Sequence, residues 1–124
     1  MISPQKRLHN NVQGSMNSDI IGDILGGSWV NFVDFTSEDL MSHMESLFHD
    51  GMDWSNYGRG GWVMDHITPK AKFNYIKVSD FDFKECWSLS NLRPLWELDN
   101  IRKSQTLLSP MQLHLNLSMK GLVR

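Results

Sequence analysis

The chain has 124 residues, 40% of them hydrophobic, with five Trp and six Phe. That is one domain of ordinary size with enough apolar mass for a core, which excludes a disordered chain. The single cysteine, Cys86, excludes an internal disulfide and a four-thiolate zinc site, and the formal net charge of −2 by itself argues against a nucleic-acid partner.

The distribution of charge argues differently. All fourteen acids fall between Asp19 and Asp99. Lys6 and Arg7 precede them, and Arg102, Lys103, Lys120 and Arg124 follow. Charged termini are ordinarily just solvated, yet a local basic surface beside a site is possible whatever the total. The opening "MISPQKRLHNN" has no apolar core of a secretory signal. No run approaches the ~18 apolar residues of a membrane span. The expectation is a cytoplasmic protein with no membrane partner.

Taken in chain order, residues 1–35 form a helical or irregular N-terminal region. A helix over Ser18 to Leu25 is expected, closed by Gly26 and Gly27. "TSEDLMSHMESLFHDG" is the clearest helix: Thr36 can cap it, with Asp39 as the acidic partner of a capping box. Leu40, Met44, Leu47 and Phe48 share a stripe at helical spacing, and Gly51 is the expected stop. His43 and His49 lie off the stripe and are expected to be exposed. The two Met read as core filler.

"MDWSNYGRGGW" is a loop by composition, and "WVMDHI" a short strand. "KFNYIKVSDFDFKECWSLS" is an excursion with a short helix near Lys84 to Trp87. "NLRPL" opens a second extended stretch. Pro94 fits the first turn of a helix running from about Leu95 to Ser104. On that wheel Leu95, Leu98 and Ile101 share the core face, and Trp96, Asn100 and Lys103 point away. Met111 to Met119 alternates apolar and polar, the period of a strand. Trp54, Trp62, Trp87 and Trp96 read as core and loop anchors, although a base could stack on one of them. Cys86 reads as a small buried hydrophobe.

Three stretches then stand in order: "DHITP" from Asp65, "NLRPLW" from Asn91 and "DNIRKS" from Asp99. Asn91 and Asn100 are 100 − 91 = 9 residues apart, and Lys103 lies three residues beyond Asn100. An Asp beside a His is ordinarily a surface pair, and an Asn before a strand is ordinarily a turn residue. Together, and with the flanks "EDLMSHMESLFHDGMDWSNYG" and "ECWSLSNLRPLWELDNIRKS", they resemble the HNH endonucleases of phage and mobile elements. The resemblance spans about Thr36 to Ser104. Two departures stand out: the third motif position is Asn100 and not His, making an H-N-N variant, and the paired CxxC zinc motifs of some relatives are missing.

The resemblance implies a small α+β single domain over residues 1–124. Its core would be a ββα-metal unit over 54–104, with N-terminal helices beside it and a C-terminal extension over 105–124. It implies a metal-dependent DNA endonuclease, leaving a 5′-phosphate and a 3′-hydroxyl. His66 would be the general base, since a neutral imidazole with a pKa near ~6.5 can accept a proton from water. Asp65 and Asn100 would hold one divalent ion, Mg²⁺ or Mn²⁺, because both offer hard oxygens. No structural zinc is implied. Asn91 would fix the excursion or orient His66. Lys103 would contact phosphate, with Arg102 and Arg93 as further candidates.

Adjacent strand residues point to opposite faces, so Asp65 and His66 can serve one phosphate only where the strand ends or bends. The partner would be DNA, in a host cytoplasm if the chain is phage-encoded, and a homodimer is possible. The alternative is a silent HNH-fold module that binds DNA or assists packaging without cutting.

Overall fold

The computed structural model describes residues 2–20 and 27–106, with side chains described through Ser104. The expected 111–119 strand, and most of the 105–124 extension, lie outside the described residues.

The first helix, α1 (Pro4–Asp19), starts earlier than expected. The Ser3 side chain accepts a hydrogen bond from the Lys6 N–H at 3.1 Å, and Pro4 takes the first position, where no N–H is needed. Leu8, Val12 and Met16, four apart, form a thin buried stripe. The helix ends near the residues where the Ser18–Leu25 helix was expected to begin. Residues 21–26, the rest of that expectation, lie outside the described residues. A short turn at Trp29–Phe32 closes back onto α1: the Trp29 N–H and indole N–H donate to Gln13 Oε1 and the His9 carbonyl.

Helix α2 (Ser37–Ser46) has the expected capping box, with Asp39 N–H donating to Thr36 Oγ1 at 3.0 Å and Thr36 N–H to Asp39 Oδ2 at 2.9 Å. Leu40 and Met44 are fully buried. The helix stops at Ser46, not at Gly51, which leaves Leu47 exposed. His43 corrects the expectation of an exposed side chain. It is half-buried, and its Nε2 donates to the Leu92 carbonyl at 2.7 Å, tying α2 to the second strand.

Strands β1 (Trp62–His66) and β2 (Leu92–Trp96) form a two-stranded antiparallel sheet pairing Trp62 with Trp96 and His66 with Leu92. Pro94 lies inside β2, not at a helix start. The ladder shows why this is tolerated. Ile67 N–H donates to Asn91 O, and Glu97 N–H to Gly61 O. Alternation therefore makes the Met64–Pro94 pair a non-hydrogen-bonded one, where no N–H is required. Between the strands lie a turn at Lys70–Lys72, helix α3 (Phe81–Cys86) and a turn at Leu89–Asn91. The excursion is braced by acids: Asp80 Oδ2 accepts from the Ile76 and Lys77 N–H groups, and Asp82 Oδ2 from Asn74 N–H.

Helix α4 (Glu97–Thr106) begins two residues later than expected and turns the other way. Leu95 stays in β2, so the apolar stripe loses a member. Leu98 and Ile101 are 58% and 41% exposed. Asn100 and Lys103 face β1 instead, because Asp65 on β1 is buried and needs a cation.

The core is aromatic. Trp62 is fully buried against Phe48, Trp54 and Tyr57, and its indole N–H donates to the Asp53 carbonyl. Trp87, Phe83 and Cys86 fill the other side, as expected of Trp87 and Cys86, while Trp54 and Trp96 are half-buried. The whole is a small α+β domain of four helices and one two-stranded sheet among the described residues. None of those helices is long and apolar enough to cross a membrane.

Gly61 marks the tightest approach. A Cβ there would lie 1.7 Å from the Asn56 carbonyl oxygen, a backbone atom that cannot step aside. Gly61→Ala is expected to cost upwards of ~2 kcal/mol, read as a lower urea midpoint at unchanged slope.

Candidate functional site

The end of β1, the loop after it and one face of α4 line a cleft of about 200 Å³. Asp65, His66, Asn100 and Lys103 line it, joined by Lys70. Strand β1 ends at His66, and Asp65 and His66, adjacent in sequence, both line the cleft.

Asp65 is 6% exposed and carries two cations. Arg93, its partner across the sheet, donates Nε–H to Oδ2 at 2.9 Å. Lys103 Nζ lies 3.0 Å from both carboxylate oxygens. The same ammonium donates to the His66 carbonyl and, at 3.1 Å, to the Ile67 carbonyl. Two cations against one carboxylate leave this corner positive, which suits an anion. Arg93 and Lys103 are thus spent on Asp65 rather than held open for phosphate. Arg102 is not brought to the cleft: it is exposed and reaches Asp99 on its own helix at 3.5 Å.

His66 stands on the other side of the strand end. Its ring meets Trp87 edge to face at 4.5 Å between centroids. Nε2 is buried with no hydrogen-bond partner among the described residues, so Nδ1 is the nitrogen left to meet water. Burial, then the Lys70 ammonium, push the His66 pKa down from 6.5 to about 4, against the weaker pull of Asp19 and Asp65. The imidazole is neutral at pH 7.

The residues that hold this face are ones the sequence did not single out. Lys70 Nζ donates to Ser15 Oγ at 2.9 Å and Asp19 Oδ1 at 3.0 Å, and sits 5.6 Å from the Trp87 ring centroid. The Tyr75 hydroxyl donates to Asp19 Oδ2 at 2.7 Å, and burial together with that carboxylate raises the Tyr75 pKa. This network docks α1 against the loop after β1. Lys70 directly follows "DHITP", but nothing in the sequence pairs it with residues more than fifty positions earlier. Burial likewise pushes the Cys86 thiol up to about 11, leaving it unreactive.

Asn91 lies outside the cleft, buried behind it. Its Oδ1 accepts from Thr68 N–H at 2.7 Å, and its Nδ2 donates to the carbonyls of Thr68 at 3.1 Å and Cys86 at 3.0 Å. It closes the excursion between the strands at both ends. Its contacts are with backbone and not with His66, so of the two roles expected for it the geometry favours fixing the excursion.

The oxygens around Lys103 bear on metal binding. Asp65 offers a carboxylate, and His66 and Ile67 offer carbonyls, all converging on one cation. Asn100 lines the same cleft with a further amide oxygen. This hard-oxygen set fits Mg²⁺ or Mn²⁺. Among the described residues no three His, Cys, Asp or Glu side chains cluster as a metal site of that kind.

Comparison of the chain with protein-family models, curated proteins and solved structures finds no match in any of the three.

Two measurements test the local chemistry. Asn91→Ala leaves the backbone groups of Thr68 and Cys86 without their partners, and is expected to cost about 3 kcal/mol in urea denaturation. The lowered pKa of His66 means that the unfolded chain binds its proton more readily between pH 6.5 and about 4. The stability from a neutral His66 is complete above pH 6.5 and is lost as pH falls towards 4. Wild type should lose roughly 3 kcal/mol more than His66→Ala over that window; parallel losses in the two proteins would contradict it.

Proposed function

We propose that this chain is a metal-dependent DNA endonuclease of the HNH type, with β1, β2 and α4 as its ββα-metal unit. The observation that carries the reading is the cleft itself. Asp65, His66, Asn100 and Lys103, separated by up to 38 positions, line one pocket at the end of a hairpin and its following helix.

In this reading His66 is the general base. Its neutral imidazole takes a proton from water at Nδ1 as the oxygen attacks phosphorus. Its lowered pKa weakens it as a base, and the negative phosphodiester seated beside it raises that pKa again. Asp65, with Asn100, would hold the divalent ion. A bound ion would supply Lewis-acid stabilisation of charge on the phosphate and the leaving 3′ oxygen. Lys103 would hold phosphate once released from Asp65, a contact independent of sequence and weakened by salt. Asn91 is a positioning residue: it fixes the loop that carries Thr68 and so the strand end that presents His66. One such site cuts one strand, and a double-strand break would take two copies or two events.

A second reading has its own observation. Asp65 is already neutralised by Lys103 and Arg93, an arrangement that also suits an accessory module that binds DNA without cutting. The deciding experiment is supercoiled-plasmid cleavage in Mg²⁺, Mn²⁺ or EDTA. The nuclease reading expects metal-dependent nicking, lowered at least ~100-fold by His66→Ala. A folded wild type that shifts DNA on a gel but cuts it with no metal establishes the accessory reading.

A further inference from the structure

The contacts of Lys103 are those of an ion in a cage more than those of a phosphate hook. Among the described residues four oxygens surround its Nζ: both carboxylate oxygens of Asp65 and the carbonyls of His66 and Ile67. They come from three consecutive residues at the turn out of β1. No sulfur or ring nitrogen is among them. This is the donor set that a hard divalent cation selects.

An ammonium and a divalent ion cannot share this cage. Lys103 Nζ stands at the point where the Asp65 carboxylate and the two carbonyls converge, so it fills the position a metal ion would take. Arg93 approaches Asp65 from β2 and reaches neither carbonyl, so it can keep the carboxylate oriented when Lys103 leaves. Lys103 can leave without any movement of α4. Its ammonium rides on a flexible four-carbon stem, and its helix position faces the cleft.

We propose that the Lys103 ammonium and the divalent cation are alternative occupants of one oxygen cage at Asp65. Metal binding expels Lys103 into the cleft, where it becomes available to a substrate phosphate. The inference rests on the nuclease reading above and adds a regulation to it. The resting protein carries its own counter-ion, and the phosphate-holding lysine is released only when metal arrives. Loss of the Lys103 charge should therefore tighten metal binding, the opposite of what loss of a metal ligand or a structural residue does.

The test is Mn²⁺ binding to the full chain without DNA, by calorimetry and by the loss of the free-ion electron paramagnetic resonance signal. Wild type, Lys103→Met, Asp65→Asn and the double variant are compared. The expected result is at least ten-fold tighter binding in Lys103→Met than in wild type, abolished by Asp65→Asn in both backgrounds. Equal affinity of wild type and Lys103→Met, still abolished by Asp65→Asn, overturns the shared cage and leaves the nuclease reading standing. Binding that survives Asp65→Asn, or no binding to any of the proteins, overturns the metal role of Asp65 on which both rest. If Lys103→Met does not fold, a Mg²⁺ titration of wild type gives the answer. The Lys103 Cε–Hε resonances shift on saturation if the ammonium is expelled, and their constancy as metal binds overturns the proposal.

Discussion

The Asp65 carboxylate organises this protein. It is buried on β1, and one buried charge is costly unless it is paired and hydrogen-bonded. Arg93 meets it from β2 and Lys103 from α4, so three elements are joined at one point. That requirement also sets the rotation of α4. The helix gives up burial of Leu98 and Ile101 to bring Lys103 inward.

A second set of polar contacts works at the other face of the strand end. Asn91 ties Thr68 to Cys86, and the Asp19–Lys70–Tyr75 network brings α1 to the same loop. His66 lies between these clamps, against Trp87. Dry surroundings and a nearby ammonium keep it neutral, which is the form that accepts a proton. Lys70 of the second clamp also lines the cleft, and Lys103 binds the His66 carbonyl, so the setting of His66 and the charge balance around Asp65 are coupled through the strand end.

Much of this was legible because it depends on neighbours in sequence. The Thr36–Asp39 capping box, the stripe of Leu40 and Met44, and the short strand in "WVMDHI" are local patterns, and local physics produces them. The order of Asp65-His66, Asn91 and Asn100 with Lys103 marked the residues that reach the cleft or support it. What the sequence misled about was rotation and boundary. Pro94 suits the first turn of a helix, but it suits a non-hydrogen-bonded strand position equally well, and only the register with β1 separates the two. His43 looked exposed because it lies off the apolar stripe, yet its partner is a carbonyl on β2.

The sequence by itself determined the elements around the motif, the residue types the cleft can offer, and the spacing that puts them on a hairpin and a following helix. Only the tertiary structure decided what those residues do to one another. Charge pairing acts across space: Arg93 and Lys103 neutralise Asp65 over 28 and 38 positions, and Asp19 reaches Lys70 over 51. No periodicity carries such distances. The same holds for the dry setting of His66, since burial is a property of the packed whole and not of any one stretch of chain.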